Sequence, residues 1–121
     1  MTLNNSPPVN ILLIEDSPSD TDLILKMLGN SGFQNRSVCV NRLDLGLSRL
    51  NSENIDIIIT DLNLSDSTGI DTFRRLREHS TNLPIVVLTG SSISEEIGIQ
   101  TVREGAQNYI TKDNINSIML G

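Results

Sequence analysis

The sequence predicts a doubly wound α/β fold, in which a parallel β-sheet carries helices on both faces. Five short apolar segments alternate with stretches in which apolar residues recur at helical spacing. The third segment, Ile55–Asp61, is a continuous apolar run, as expected of a strand buried on both faces. Parallel strands joined by helices cross over in a right-handed sense, and the commonest order of five such strands is 2-1-3-4-5. We therefore expect the first and third strands to lie side by side.

The first strand is predicted at Val9–Glu15 and is followed by a helix start. Ser17 provides a capping hydroxyl, Pro18 suits the first helical position, and Asp20 places an acid in the first turn. Glycines within residues 29–32 should end this helix. Its predicted buried face comprises Leu23, Ile24, Met27 and Leu28.

The second strand is predicted near Ser37–Asn41 and leads to a short helix. The apolar side of that helix comprises Leu43, Leu47 and Leu50. After the third strand, Leu62–Thr68 is a polar loop, and a helix then runs from about Ile70 to Glu78. Its predicted buried residues are Ile70, Phe73 and Leu76. We expect a solvated face at Arg74, Arg75 and Arg77, and a surface position for His79.

The fourth strand is predicted at Pro84–Thr89 and the fifth at about Asn108–Thr111. Between them, Ser92 and Glu95 form a predicted capping box for a helix that ends at Gly105. A last helix should begin near Asn114, with inward-facing residues Ile115, Ile118 and Met119. Two turns are short for a helix that flanks a sheet, so we expect this to be the front part of a longer protein.

Length and composition fit one domain whose core is built from Ile, Leu and Val. The 121 residues suffice to bury a core, and only 2% of them are aromatic. We expect a flexible arm over residues 1–8 and a folded domain over residues 9–121 with a truncated last helix. The single cysteine, Cys39, cannot form an intrachain disulfide and is expected to be a small buried hydrophobe.

The same composition argues against several classes of function. A net charge of −6 disfavours direct nucleic-acid binding, which relies on clustered Lys and Arg. No apolar run approaches the roughly 18 residues needed to cross a membrane, and the first ten residues do not resemble a signal peptide. The expected location is the cytoplasm.

Chemically reactive side chains follow four of the five predicted strands. Glu15 and Asp16 follow the first strand, Asp61 the third, Thr89 the fourth and Lys112 the fifth. The carboxyl ends of parallel strands meet at one edge of the sheet, which is where such folds bind ligands. With neighbouring strands about 4.8 Å apart, these side chains should converge around Asp61.

This set of side chains suggests metal-assisted phosphoryl transfer. Three close carboxylates repel one another unless a cation lies between them, and oxygen ligands suit a hard cation such as magnesium. Asp61 would attack phosphorus as a nucleophile, while the metal and Lys112 neutralise charge on the phosphoryl oxygens. Thr89 would donate a hydrogen bond to one of those oxygens.

The chain resembles the receiver domain of bacterial two-component response regulators, of the chemotaxis-regulator type, over essentially its whole length. The matching segments are Ile11–Asp16, Asp61–Leu64 with Gly69, Ile85–Gly90 and Gly105–Lys112. Four separated segments in the correct order make this resemblance specific. It implies a flavodoxin-like fold and a phosphorylation-dependent switch of a phosphorelay, rather than a turnover enzyme.

The resemblance also implies a role for individual residues. Asp61 matches the phosphorylated aspartate, and Thr89 and Lys112 match the pair that contacts the phosphoryl group. Tyr109 matches an aromatic residue that changes rotamer when the threonine moves. The implied magnesium ligands are Glu15, Asp16, Asp61 and the backbone carbonyl of Asn63, with Asp16 bonded directly.

The implied partners are a histidine kinase or histidine phosphotransfer protein as phosphoryl donor. A downstream output domain, or a second copy of the chain, would bind the face formed by the fourth helix, the fifth strand and the last helix.

Two positions depart from the family pattern. Proline often stands four residues after the phosphorylated aspartate, where this chain has Ser65, and again after the lysine, where it has Asp113. Ser65 would loosen the loop, and an inward-pointing Asp113 would weaken phosphate binding. Neither change removes a reacting group.

Three alternatives remain open at this point. A metal-dependent nucleic-acid enzyme would also use acids at these strand ends, but Asn63 stands where its second acid is expected and the chain has no basic tract. A phosphatase or mutase with an aspartate nucleophile would carry that residue after its first strand and need a cap domain. A receiver-like interaction module that takes no phosphate would not need Asp61, Thr89 and Lys112.

Overall fold

The computed structural model describes residues 7–90 and 95–115, which form an α/β domain. Its elements, in chain order, are β1 Val9–Ile14, α1 Pro18–Gly29, β2 Asn35–Val40, α2 Leu43–Ser52, β3 Ile57–Asp61, α3 Ile70–His79, β4 Ile85–Thr89, α4 Glu95–Arg103 and β5 Asn108–Thr111. Residues 112–115 are also helical. Residues 1–6 of the expected arm at residues 1–8, together with Ser92, Ile118 and Met119, lie outside the described residues.

All five strands are parallel and follow the order β2-β1-β3-β4-β5, which confirms the predicted sheet. Two hydrophobic clusters cover its opposite faces, because successive strand residues point to opposite sides. Leu12 and Ile14 belong to the cluster that packs under α2, α3 and α4. Ile11 and Leu13 belong to the cluster that packs under α1 and includes Ile115, which is buried as predicted.

Helix α1 begins as its sequence predicts. The Ser17 hydroxyl accepts a hydrogen bond from the backbone amide of Asp20 at 3.3 Å, and Pro18 opens the helix. Helix α2 is capped from a distance: the Asp66 carboxylate accepts bonds from the amides of Leu43 and Asp44 at 2.8 and 3.0 Å. The loop after β3 is thereby fastened to α2, since Asp66 supplies the cap that Arg42 does not.

Two sequence-based expectations about burial are wrong. Cys39 is exposed, because β2 is an edge strand and Cys39 lies on the face opposite to Val38 and Val40, which pack on the core. Ile70 is only partly buried; the α3 position that becomes fully buried beside Phe73 and Leu76 is Thr72. The Thr72 hydroxyl is satisfied by donating to the carbonyl of Leu62 at 2.8 Å.

The arginine face of α3 is also more than solvated surface. Arg77 donates to four backbone carbonyls, those of Ser80, Thr81, Leu83 and Gly105. Arg74 forms a two-bond ion pair with Glu104, at 2.9 and 2.8 Å. Together these two side chains join the end of α3 to the turn that follows α4.

Within residues 7–90 and 95–115, no helix combines the length and apolar character needed to span a bilayer.

Candidate functional site

The ends of β1, β3, β4 and β5 place the predicted site residues along one edge of the sheet. Ile14, the last residue of β1, pairs with Thr60, so that Glu15 lies at the level of Asp61. Thr89 pairs with Thr111, and Lys112 follows directly. The sheet register therefore sets the height of every predicted group except those in the loop after β3.

Three carboxylates lie close together at this edge. One oxygen from each of Glu15, Asp16 and Asp61 is within 4.8 Å of the others. Glu15 and Asp61 are only 4% and 5% exposed, whereas Asp16 is exposed. The cluster is therefore open to solvent on the Asp16 side and enclosed on the others.

Lys112 reaches into this cluster and contacts three acids. Its Nζ donates to Asp61 Oδ2 at 3.0 Å and to Asp20 Oδ2 at 2.9 Å. It also lies 2.8 Å from Glu15 Oε1. The lysine stem passes beside Gly90, where an added Cβ would lie 3.7 Å from Lys112 Cδ.

The buried Glu15 carboxylate shares its positive partner, Lys112, with two other acids. Its Oε2 accepts from the Ser17 amide at 3.2 Å. Its buried Oε1, although close to Lys112, accepts no hydrogen bond of good geometry from the described part of the chain. Because Lys112 supplies one positive charge to Glu15, Asp20 and Asp61 together, the site keeps an excess of negative charge that a further cation would neutralise.

Charge and burial shift two pKa values in this cluster. Burial raises the pKa of Glu15 to about 7, with a smaller contribution in the same direction from the Asp61 charge; the bond with Lys112 opposes both. Burial opposes the charge of Lys112, but its contacts with Glu15, Asp20 and Asp61 prevail and raise its pKa. Lys112 is therefore a permanent cation, whereas Glu15 shares an excess of negative charge.

The loop after β3 folds back over Asp61. The amide of Asn63 donates to Asp61 Oδ1 at 3.2 Å, and the Asn63 side chain accepts from the amide of Gly69 at 3.2 Å. Gly69 has a φ of 68°, which favours glycine at this entry to α3. Of the two departures from the family pattern, Ser65 and Asp113 are both exposed, so the Asp113 side chain does not crowd the carboxylates.

Thr89 and Tyr109 lie beyond the acidic cluster, on β4 and β5. Thr89 is 2% exposed. Tyr109 pairs with Val87, and its hydroxyl donates to Glu95 Oε1 at 3.1 Å in the first turn of α4. Its ring lies against Gly98, where an added Cβ would come within 2.7 Å of Tyr109 Cδ2. Tyr109 thus connects the last strand to α4.

Sequence reasoning missed one member of the site. The sequence indicates Asp20 only as a first-turn acid of α1, yet its side chain reaches Lys112, which is 92 positions later in the chain. Its position in the first turn of α1, shortly after the end of β1, is the local hint that the sequence offers, and it does not indicate the contact with Lys112.

Comparisons with known proteins agree with this architecture. The family of response regulator receiver domains matches residues 11–120. The cell cycle transcriptional regulator CtrA of Caulobacter vibrioides is 38% identical over 107 residues, covering 86% of this chain and 44% of that protein. The chain thus spans less than half the length of that relative. The chemotaxis protein CheY of Pseudomonas aeruginosa is 29% identical over 106 residues, covering 86% of this chain and 84% of that protein.

A solved structure shows the same fold. The Mn²⁺-bound form of response regulator Rcp1 superposes with a TM-score of 0.75 at 26% identity, covering 92% of this chain and 89% of that one. The flavodoxin-like α/β architecture expected from the sequence is therefore confirmed.

Proposed function

This chain belongs to the family of response regulator receiver domains, and we propose that it is a phosphorylation-controlled switch that accepts a phosphoryl group on Asp61. Receiver domains are signalling domains that interact with histidine kinases and with output domains. The domain in this proposal comprises residues 9–121 and works in the cytoplasm. Its role is regulatory, since each phosphoryl transfer changes the protein itself.

One observation carries the proposal: the Asp61 carboxylate is buried between an acidic cluster and a lysine ammonium. Asp61 Oδ2 is 3.0 Å from Lys112 Nζ, and one oxygen each of Glu15, Asp16 and Asp61 lie within 4.8 Å of one another. Lys112 and a cation would thus stand on either side of a phosphoryl group attached to Asp61. Thr89, at the end of the adjacent strand, would donate its hydroxyl to a third oxygen.

The residues present fit a divalent cation of the hard, oxygen-binding kind. The crowding of the Glu15, Asp16 and Asp61 carboxylates favours a cation in addition to Lys112, and the ligand atoms that these side chains offer are all oxygens. We assign magnesium to Asp16, Asp61, Glu15 and the backbone carbonyl of Asn63, with Asp16 bonded directly. When bound, magnesium would neutralise charge on the phosphoryl oxygens.

In the transfer step, a carboxylate oxygen of Asp61 supplies the electron pair for a new O–P bond. The P–N bond to the donor histidine breaks, and the imidazole nitrogen keeps that electron pair and takes a proton from water. Lys112 keeps its proton and stabilises the negative charge on the phosphoryl oxygens. Phosphorylation would draw Thr89 inward and let Tyr109 turn, which changes the face formed by α4, β5 and the helix that follows. That face would bind an output domain or a second copy.

Labelling with a small acyl phosphate in the presence of Mg²⁺ tests the acceptor. Asp61→Asn should abolish labelling and leave the fold intact, whereas Asp22→Asn, which changes an exposed acid of α1, should label like the wild type. Undiminished labelling of Asp61→Asn would refute the assignment. A folded wild-type protein that takes no label would instead point to an interaction module that does not use phosphate.

Metal titration tests the proposed ligands. Because Asp16 is assigned the direct bond, Asp16→Ala should weaken Mg²⁺ binding more than Glu15→Ala does. Equal Mg²⁺ affinity of the wild type and Asp16→Ala would contradict the proposed site.

A further inference from the structure

Lys112 has one acidic neighbour that the proposed acceptor chemistry does not use. Asp20 Oδ2 accepts a hydrogen bond from Lys112 Nζ at 2.9 Å, as short as the bond from the same nitrogen to Asp61 at 3.0 Å. We propose that Asp20 is a positioning residue that holds the Lys112 ammonium beside the acceptor oxygen of Asp61, an inference that rests on the proposed function.

The need for such a residue follows from the chemistry of lysine. A lysine side chain has four flexible carbons and three N–H donors, so one partner does not fix its direction. Here Glu15 and Asp61 hold the ammonium from the strand ends, and Asp20 is the partner that holds it from α1. The side chain of Lys112 is 15% exposed, and those of Asp20 and Asp61 are 30% and 7% exposed. The pair with Asp20 is therefore partly shielded from water, which strengthens it relative to a surface ion pair.

Asp20 is itself fixed by a chain of hydrogen bonds that starts in the acidic cluster. Glu15 Oε2 accepts from the amide of Ser17 at 3.2 Å, and the Ser17 hydroxyl accepts from the amide of Asp20 at 3.3 Å. Thr21 adds a bond from its hydroxyl to the Ser17 carbonyl at 3.0 Å. The first turn of α1 is thus anchored to the site, and Asp20 is the acid of that turn that contacts Lys112.

The position of Asp20 has a consequence for phosphoryl binding. When a phosphoryl oxygen replaces Asp61 Oδ2 as an acceptor, Lys112 can keep its bond to Asp20 and redirect only one N–H. Less of the lysine has to be ordered at that moment, which favours binding. Asp20 could only act against phosphoryl binding by competing with the phosphoryl group for Lys112. Removing Asp20 would weaken phosphoryl binding if it positions Lys112 and strengthen it if it competes.

The experiment measures beryllofluoride affinity at saturating Mg²⁺ in the full chain. Asp20→Ala should weaken beryllofluoride binding by about tenfold. The matched control is Asp22→Ala, which removes an equal charge from the same helix at an exposed position and should change binding less than about twofold. Asp20→Asn keeps an oxygen acceptor for Lys112 and should restore part of the affinity.

A second measurement reports on Lys112 directly and needs no phosphoryl analogue. Nitrogen-15 relaxation of the lysine ammonium should show an ordered Lys112 in the wild type and in Asp22→Ala, and a more mobile one in Asp20→Ala. Unchanged or tighter beryllofluoride binding by Asp20→Ala would overturn the inference, as would weaker binding with Lys112 order unchanged. Failure of the proposed function looks different: the wild type would not bind beryllofluoride, although Asp20→Ala still loosened Lys112.

Discussion

The contact between Gly98 and Tyr109 gives a direct way to bias the proposed switch. Gly98 is buried in α4, and a Cβ added there would lie 2.7, 2.9 and 3.1 Å from three atoms of the Tyr109 ring. Such distances force the ring or the helix to move. Gly98→Ala should therefore penalise the observed position of Tyr109 and favour a rotamer in which the ring leaves α4.

The size of this effect follows from two opposing contributions. Overpacking of a buried contact costs about 1–3 kcal/mol, and it applies only while the Tyr109 ring stays against α4. Replacing glycine by alanine in a helix gains about 1 kcal/mol, and that gain applies in both positions of the ring. The overall stability should thus change by at most about 2 kcal/mol, while the balance between the two positions shifts by about 5- to 150-fold.

Backbone amide shifts measured with and without beryllofluoride provide the assay. Without the analogue, the signals of β5 and α4 in Gly98→Ala should move part of the way toward their positions in the beryllofluoride-bound wild type. Gly46→Ala is the matched control. Gly46 lies in α2, and a Cβ added there would come within 2.5 Å of Ile14 Cδ1 on β1, in a contact that does not involve Tyr109. If both glycine variants move the β5 signals alike, or if Gly98→Ala only lowers the melting temperature, the reasoning is refuted.

Two further predictions concern Arg77 and Glu15. Arg77→Met removes four hydrogen bonds to backbone carbonyls and should lower the free energy of unfolding by at least about 2 kcal/mol. Arg75 is exposed, so Arg75→Met should change the free energy of unfolding by no more than about 0.5 kcal/mol. Equal denaturation midpoints of the two variants would contradict this prediction. Burial raises the pKa of Glu15 from 4.5 to about 7. Between these pH values the folded state binds the Glu15 proton more tightly than the unfolded state does. The stability of the folded state should therefore fall as the pH rises through this range. Without divalent cations, the melting temperature of Glu15→Gln should therefore rise relative to that of the wild type as the pH increases between these values. If the difference in melting temperature stays constant with pH, Glu15 is not the group responsible.

Most of the fold could be predicted because each strand carries its own local signal. The strand order and the cap of α1 at Ser17 follow from apolar runs, short connections and capping chemistry, and the structure confirms them. Burial at the sheet edge could not be predicted in the same way. The run around Cys39 gives no indication of which face of β2 is covered, since that depends on how the helices pack over this strand at the edge of the described sheet.

The site was predictable in so far as it depends on strand ends. Glu15, Asp61 and Lys112 converge because parallel register brings them to one height. Asp20 and Asp66 were beyond sequence reasoning, because each acts on a residue more than 20 positions away through the packing of helices and loops. Arg77 was missed for the same reason: its acceptors come from two turns that only the folded chain brings together.

The contacts of Arg74 and Arg77 with the turn after α4 have a consequence for how that helix can move. The ion pair with Glu104 and the bond to the Gly105 carbonyl hold the carboxyl end of this helix to α3, while Tyr109 holds its amino end through Glu95. If Tyr109 releases Glu95, the carboxyl end of α4 stays bound to α3. The helix would then rotate about its carboxyl end rather than shift along its axis. Nine residues span roughly 13 Å, and a rotation of about 10° would then displace the amino end by roughly 2 Å while the pivot stays in place.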